Sequence, residues 1–204
     1  MTRQNKVGAT NAGKDDPRSA LRRRDRGKDD TWVAAFMKRA AYGFLATVGN
    51  GGQPFLNSNL FVFDDTGGAR RIYLHTHRTG RTRDNLESAE KVAFSTVAMG
   101  RLLPAPEALE FSVEYAGVVA FGTGRVVEDE DEARTALQML LDKYAPHLRP
   151  GIDYRATTDD ELKRTAVYRI DVEAWSGKQK EVPEDFPGAF SLDLPPVPFP
   201  GRGG

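Results

Sequence analysis

Residues 73–85, YLHTHRTGRTRDN, gather two of the chain's three histidines and three arginines around a single glycine. Three chemistries compete for such a segment: a metal site, a phosphate cradle, or a solvated turn. His75 and His77 stand two apart on an expected strand, so both side chains share a face. A metal there needs a third ligand, from His147 or from a carboxylate elsewhere. His147 sits in YAPHLRP, between prolines, and reads as surface. The phosphate reading uses more of the segment. The strand ends near His77, and Gly80 lets the backbone come close to a ligand. A helix then starts at RTRDNL, offering free N–H groups and the positive end of its dipole. Arg78, Arg81 and Arg83 add forked donors suited to phosphate. A helix start with merely solvated arginines stands as the alternative.

The elements that position these residues follow from composition and pattern. The chain has 204 residues, enough for one domain with tails. Lysine plus arginine number 29 and aspartate plus glutamate number 29. That balance gives no global field to draw nucleic acid or an anionic membrane. There are no cysteines, which excludes disulfides, thiol catalysis and cysteine-held metals and fits a cytoplasmic protein. No apolar run approaches the ~18 residues of a membrane span. There is no phosphate-binding Walker loop. GTGR (122–125) lies within a strand pattern, which excludes a dinucleotide fingerprint.

Residues 1–28 are polar and charged and predict a disordered tail, with Arg22–Arg24 solvated. A helix is expected over DDTWVAAFMKRAAYG, capped by Asp30 or Thr31 and closed by Gly43. Six strands are expected: 44–48, 54–63, 71–77, 91–97, 114–127 and 165–175. Glycines 117, 122 and 124 predict bulges or sharp coiling in the fifth. In DEDEARTALQMLLDKYAP, the residues Ala133, Ala136, Leu137, Leu140, Leu141 and Tyr144 form one apolar helical stripe. TDDE (158–161) predicts a capping box. Strands mostly follow strands, so the expected fold is mostly β: an antiparallel barrel with peripheral helices. The domain is expected over 29–185, with a proline-rich arm over 186–204.

The segments ATVGNGGQPFLNSNLFVF, RIYLHTHRTGRTRDNLES, KVAFSTV, FSVEYAGVVAFGTGRVV and AVYRIDVEAWSGK, in this order, carry a resemblance. The chain resembles the FMN-binding split barrels related to pyridoxamine 5′-phosphate oxidase, and among them the Nim (nitroimidazole-resistance) group. The resemblance implies a six-stranded split barrel and a homodimer with FMN at the interface. It implies that Asn57, Ser58, Asn59 and Leu60 lie along the flavin ring. It implies that His75, Thr76, His77, Gly80 and Arg81 hold the phosphate end. Ser112 matches a flavin contact, and Trp175 and Lys178, in WSGK, match an element that reaches the cofactor of the partner subunit.

His75 occupies the slot of the reactive Nim histidine, which implies catalysis: a proton donor or orienter for a nitro-aromatic acceptor. A histidine hydrogen-bonded within the barrel is the alternative. Two features depart from pyridoxamine phosphate oxidases. The arginine- and histidine-rich C-terminal segment is missing, and the Ser-Arg-Lys phosphate motif is reduced to Gly80-Arg81-Thr82. The implied function is a Nim-type FMN oxidoreductase with no metal. A non-catalytic flavin, deazaflavin or haem carrier, with His75 or His77 as a haem ligand, is the other reading of the fold.

Overall fold

A computed structural model describes residues 16–192. The elements run β1 (Gly27–Lys28), α1 (Asp30–Arg39), β2 (Gly43–Val48), β3 (Pro54–Asn59), β4 (Val62–Asp64) and β5 (Arg71–His77). They continue with α2 (Arg81–Ser88), β6 (Lys91–Leu103), β7 (Ser112–Val126), α3 (Glu130–Tyr144), α4 (Asp159–Leu162) and β8 (Thr165–Lys180). The strands form one antiparallel sheet in the order β3-β2-β6-β7-β8-β5-β4, with β1 on β8. This is a split barrel, strongly coiled and not closed. It has eight strands where six are expected. One extra arises because 54–63 breaks at Leu60–Phe61 into β3 and β4; the other is β1.

The long strands β7 and β8 pair from Tyr115↔Lys180 to Val126↔Tyr168 and form the spine of the sheet. Their register shifts at Phe121/Gly122. A Cβ on Gly122 would lie 2.1 Å from the Asp171 carbonyl oxygen, so only glycine lets the two backbones approach and bend there. The inward residues of β2, β4, β5, β6, β7 and β8 pack with Val33, Phe36 and Met37 of α1 into one core that includes Phe61, Phe94 and Tyr168. Burial of this apolar surface is the main drive to the fold.

The α1 N-cap is Asp29, whose side chain accepts from the Trp32 N–H. Asp30 is spent elsewhere, on Arg70 and Trp175. Gly43 opens β2 instead of closing α1. The α3 stripe buries Ala133, Ala136 and Leu140 against Val62, Tyr73, Val167 and Leu162, on the outer face of β4–β5–β8. The capping box at Thr158–Glu161 is present.

The described parts of the expected N-terminal tail and of the proline-rich arm are tied to the sheet. Residues 16–28 form a strap. Arg18 pairs with Glu173 at 3.1 Å, Arg26 donates to the Tyr115 hydroxyl, and Gly27–Lys28 pair with Gly177–Lys178. β5 reaches only Asp171 on β8, so the rest of that edge is open to the strap. At the other end Phe190 bridges Leu102, and Arg101 donates to the carbonyls of Val182, Pro183 and Glu184. Residues 1–15 and 193–204 of the two expected tails lie outside the described residues.

Candidate functional site

The turn between β5 and α2 sorts its three arginines into different jobs. Arg83 pairs with Glu87 one turn along α2, at 2.6 Å. Arg78 is tied to the α4–β8 loop through the carbonyls of Arg164 and Lys163. Arg81 makes no ion pair among the described residues; its guanidinium lies 5.0 Å over the ring of Phe55 on β3. Gly80 has φ +145°, a conformation that favours glycine, and caps α2 with no side-chain hydrogen bond. The first N–H groups of α2 therefore point outward unspent. Thr82, in the same turn, accepts from Asn57 Nδ2 at 3.1 Å, which binds β3 to the helix start. Arg81, the α2 N-terminus and β3 thus form one cradle with the chemistry of a phosphate site.

β3 runs from this cradle toward Leu60. Its side chains alternate, so Asn57 and Asn59 share a face and Ser58 points to the opposite one. Asn59 Nδ2 is buried without a hydrogen-bond partner among the described residues. Buried amides are almost always paired, so this donor fits a ligand acceptor along the strand. Leu60 is 53% exposed at the end of the strand.

There the chain turns, and α3 clamps the turn. Tyr144 Oη meets the Phe61 N–H and its carbonyl oxygen, each at 3.0 Å, and Lys143 Nζ donates to the same carbonyl at 2.8 Å. Lys143 Nζ also lies 3.9 Å over the Phe61 ring. Burial lowers the Lys143 pKa to about 8 and raises that of Tyr144. The sequence pattern places Tyr144 only on the apolar stripe. Its hydroxyl's role depends on which strand end lies opposite, and nothing local signals that.

His75 lines a cleft of about 430 Å³ between this corner and α3. Leu60, Leu137, Leu140, Leu141 and Tyr144 form its apolar walls, and Thr165, Thr157 and the Arg155–Glu161 pair its polar margin. Leu141, expected on the apolar stripe, is 38% exposed and lines this cleft. The His75 ring has no hydrogen-bond partner among the described residues. Solvent reaches it, yet the surrounding walls hold its pKa below the ordinary 6.5. His77 shares its face but is engaged: its Nδ1 meets the Thr79 hydroxyl at 3.2 Å and the Thr79 N–H at 3.3 Å. Thr76 points inward to the Tyr168 hydroxyl at 2.9 Å. Among the described residues no three histidine or carboxylate groups gather as a metal-ligand set.

The other expected site residues lie elsewhere in the fold. Ser112 and Lys178 stand at the far end of β7–β8, where Ser112 accepts from Lys180. Trp175 is a core residue, 7% exposed. Its indole N–H is donated to Asp30 at 2.8 Å, and Arg70 lies 4.4 Å over its ring. Within one chain these three do not join the His75 cleft.

A split barrel with an anion cradle at a strand-to-helix turn and a half-open imidazole cleft defines a class of small-ligand-binding β proteins. The family described as pyridoxamine 5′-phosphate oxidase matches residues 29–179, and the chain belongs to that family. No curated protein matches by sequence. Among solved structures, the flavocytochrome Anf3 from Azotobacter vinelandii aligns with TM-score 0.71 and 23% identity, over 92% of this chain and 91% of that one. The FAD and heme binding protein from Mycobacterium smegmatis aligns with TM-score 0.69 and 22% identity, over 87% and 91%. A putative 5-nitroimidazole antibiotic resistance protein from Bacteroides thetaiotaomicron aligns with TM-score 0.61 and 18% identity, over 74% and 84%. At these identities the likeness is one of fold. No helix of the described residues is long and apolar enough to cross a membrane.

Proposed function

We propose that the chain is an FMN-binding oxidoreductase of the cytoplasm, acting on nitro-aromatic or similar small acceptors. One observation carries the reading: unspent donors stand on β3, on β5 and at the start of α2. They are the α2 N-terminus with Arg81, then Asn59 Nδ2 on β3, then the His75 ring. The first suits a phosphate, the second a ring carbonyl, the third an acceptor. When bound, the flavin supplies the electron-transfer chemistry. Arg81 and the free N–H groups hold its phosphate, and Asn57 keeps β3 against that turn. His75, largely neutral at pH 7, orients the acceptor by donating a hydrogen bond from its ring N–H to an acceptor oxygen. The apolar walls limit water around it.

The active form is a homodimer. Leu56, Val97 and Met99 are 66%, 51% and 59% exposed on an outer sheet face that no helix of the described residues covers. A patch of this kind suits a two-fold contact. Ser112 and Lys178 are then available to the partner's flavin.

The test is the absorbance spectrum of the purified protein, with mass identification of the released cofactor. Flavin bands with FMN released are expected. A colourless protein that ignores both FMN and FAD removes the reading.

A second reading, haem binding, is favoured by the cleft itself. His75 presents its ring among apolar walls, whereas His77 lies outside this cleft with its Nδ1 held by Thr79. The two neighbours that cover most of the chain are named for flavin together with haem or cytochrome. An intense haem band that disappears in His75→Ala supports this reading; its absence after haem addition removes it.

A further inference from the structure

The inner side of α2 is polar where apolar packing would serve. Its buried residues are Thr82, Asn85 and Leu86, and of these only Leu86 joins the core. Asn85 Nδ2 donates to Thr47 Oγ1 at 2.9 Å, and Asn57 Nδ2 donates to Thr82 Oγ1 at 3.1 Å. Thr47 is buried as well. A buried amide–hydroxyl pair adds little net stability over an apolar pair of the same shape. It adds direction, because a hydrogen bond weakens steeply off its axis. Apolar burial is non-directional and leaves a short helix freer to roll or slide.

The sheet partners of α2 form one patch. Thr47 on β2 stands directly opposite Phe55 on β3. Asn57 lies two residues along from Phe55, on the same face. The start of α2 meets this patch three times: Asn85 on Thr47, Arg81 over the Phe55 ring, and Thr82 on Asn57. Arg81 and Asn85 are four residues apart, so they share a face of the helix one turn from each other. The buried end of that face is tied to Thr47. The exposed end carries the guanidinium over Thr47's cross-strand neighbour.

We infer that Asn85 is a positioning residue for the ligand's phosphate. Through Thr47 it fixes the roll and height of α2, and with them the place of Arg81 and of the free N–H groups beside β3. Asn85 has this role only if the cradle holds a phosphate, as the flavin reading requires. Two flavins that differ only in that phosphate are then told apart: FMN depends on Asn85, and riboflavin does not.

The test is a fluorescence titration of the full-length protein with FMN and with riboflavin, after any bound flavin is dialysed out. The main variant is Thr47→Val/Asn85→Leu, which replaces both partners with apolar groups of similar shape. A melting temperature equal to the parent's shows that the fold is kept. If the double variant does not fold, Thr47→Val alone removes the acceptor with a side chain of the same shape. The parent is expected to bind FMN at least about tenfold more tightly than riboflavin. In the variant, FMN affinity is expected to fall about tenfold while riboflavin affinity stays at the parent value. Equal losses of both flavins would assign Asn85 to general packing and overturn the proposal. An unchanged FMN affinity in the variant overturns it too, as does a parent that binds the two flavins equally. A parent that binds neither flavin removes the flavin reading itself, and the role of Asn85 with it.

Discussion

Two clusters in this molecule are equally rich in donors and do opposite work. Around Arg101 every group is spent. Its Nε and Nη2 donate to Glu114 at 2.9 and 2.8 Å, and its remaining N–H groups hold the carbonyls of Val182, Pro183 and Glu184. That cluster fastens the C-terminal arm to β6–β7. Around Gly80 the groups that matter are unspent: Arg81 has only the Phe55 ring, Asn59 Nδ2 has nothing, and the His75 ring has no partner among the described residues. Density of polar residues therefore does not mark function in this chain. Unsatisfied capacity in a shaped place is the sharper guide, because a fold leaves donors idle only where it loses little or a ligand completes them.

The largest expected effect is at His75. His75→Ala should slow electron transfer to the acceptor about 10²- to 10⁴-fold in stopped-flow assays, with flavin still bound. An unchanged rate would make the idle ring mere surface and collapse the contrast with Arg101. Arg81→Ala comes next, weakening flavin about 10- to 100-fold in fluorescence titration. Arg83→Ala should change affinity little, since Arg83 already serves Glu87 in an exposed pair. Equal losses at both positions would show a diffuse basic patch instead of a cradle.

Tyr144→Phe is expected to lower stability by about 1–3 kcal/mol in urea unfolding, because the Phe61 N–H and carbonyl lose their hydroxyl. It also loosens the corner that carries Leu60. A melting curve identical to the parent would mean the clamp is not needed.

The smallest effects concern pH, and they separate the two clusters again. Arg101, then the Val182 N–H, hold the Glu114 pKa down at about 2 from 4.5. A carboxylate depressed in the folded state adds stability above pH 4.5, and this is lost as pH falls toward 2. Glu114→Gln should flatten the melting temperature across that window. His75 is also depressed, but it is a base. The unfolded chain takes up its proton first, so stability falls as pH drops below 6.5. His75→Ala should flatten that higher window only. A flattened acid window in His75→Ala would show that the two clusters are coupled.

Much of this was legible in the sequence for physical reasons. The α3 stripe, the Thr158–Glu161 box and the strand-to-helix turn at Gly80 are local patterns, and local patterns survive folding. Less legible were features that depend on what lies opposite. Residues 16–28 carry almost no apolar signal, yet they dock because β5 stops at Asp171 and leaves an edge of β8 open. Trp175 follows the expected strand but turns into the core, since α1 packs there and Asp30 accepts its N–H.

The sequence by itself determined the kind of fold and the segment where hydrogen-bond donors concentrate. Alternation, glycine placement and helix-start residues act over a few positions and are written in the chain. Tertiary structure alone decided which of three neighbouring arginines stays free, which of two histidines faces a cleft, and that Tyr144 holds the corner between β3 and β4. Those outcomes are set by partners far away in sequence, and a donor's availability is defined only once every neighbour has been placed.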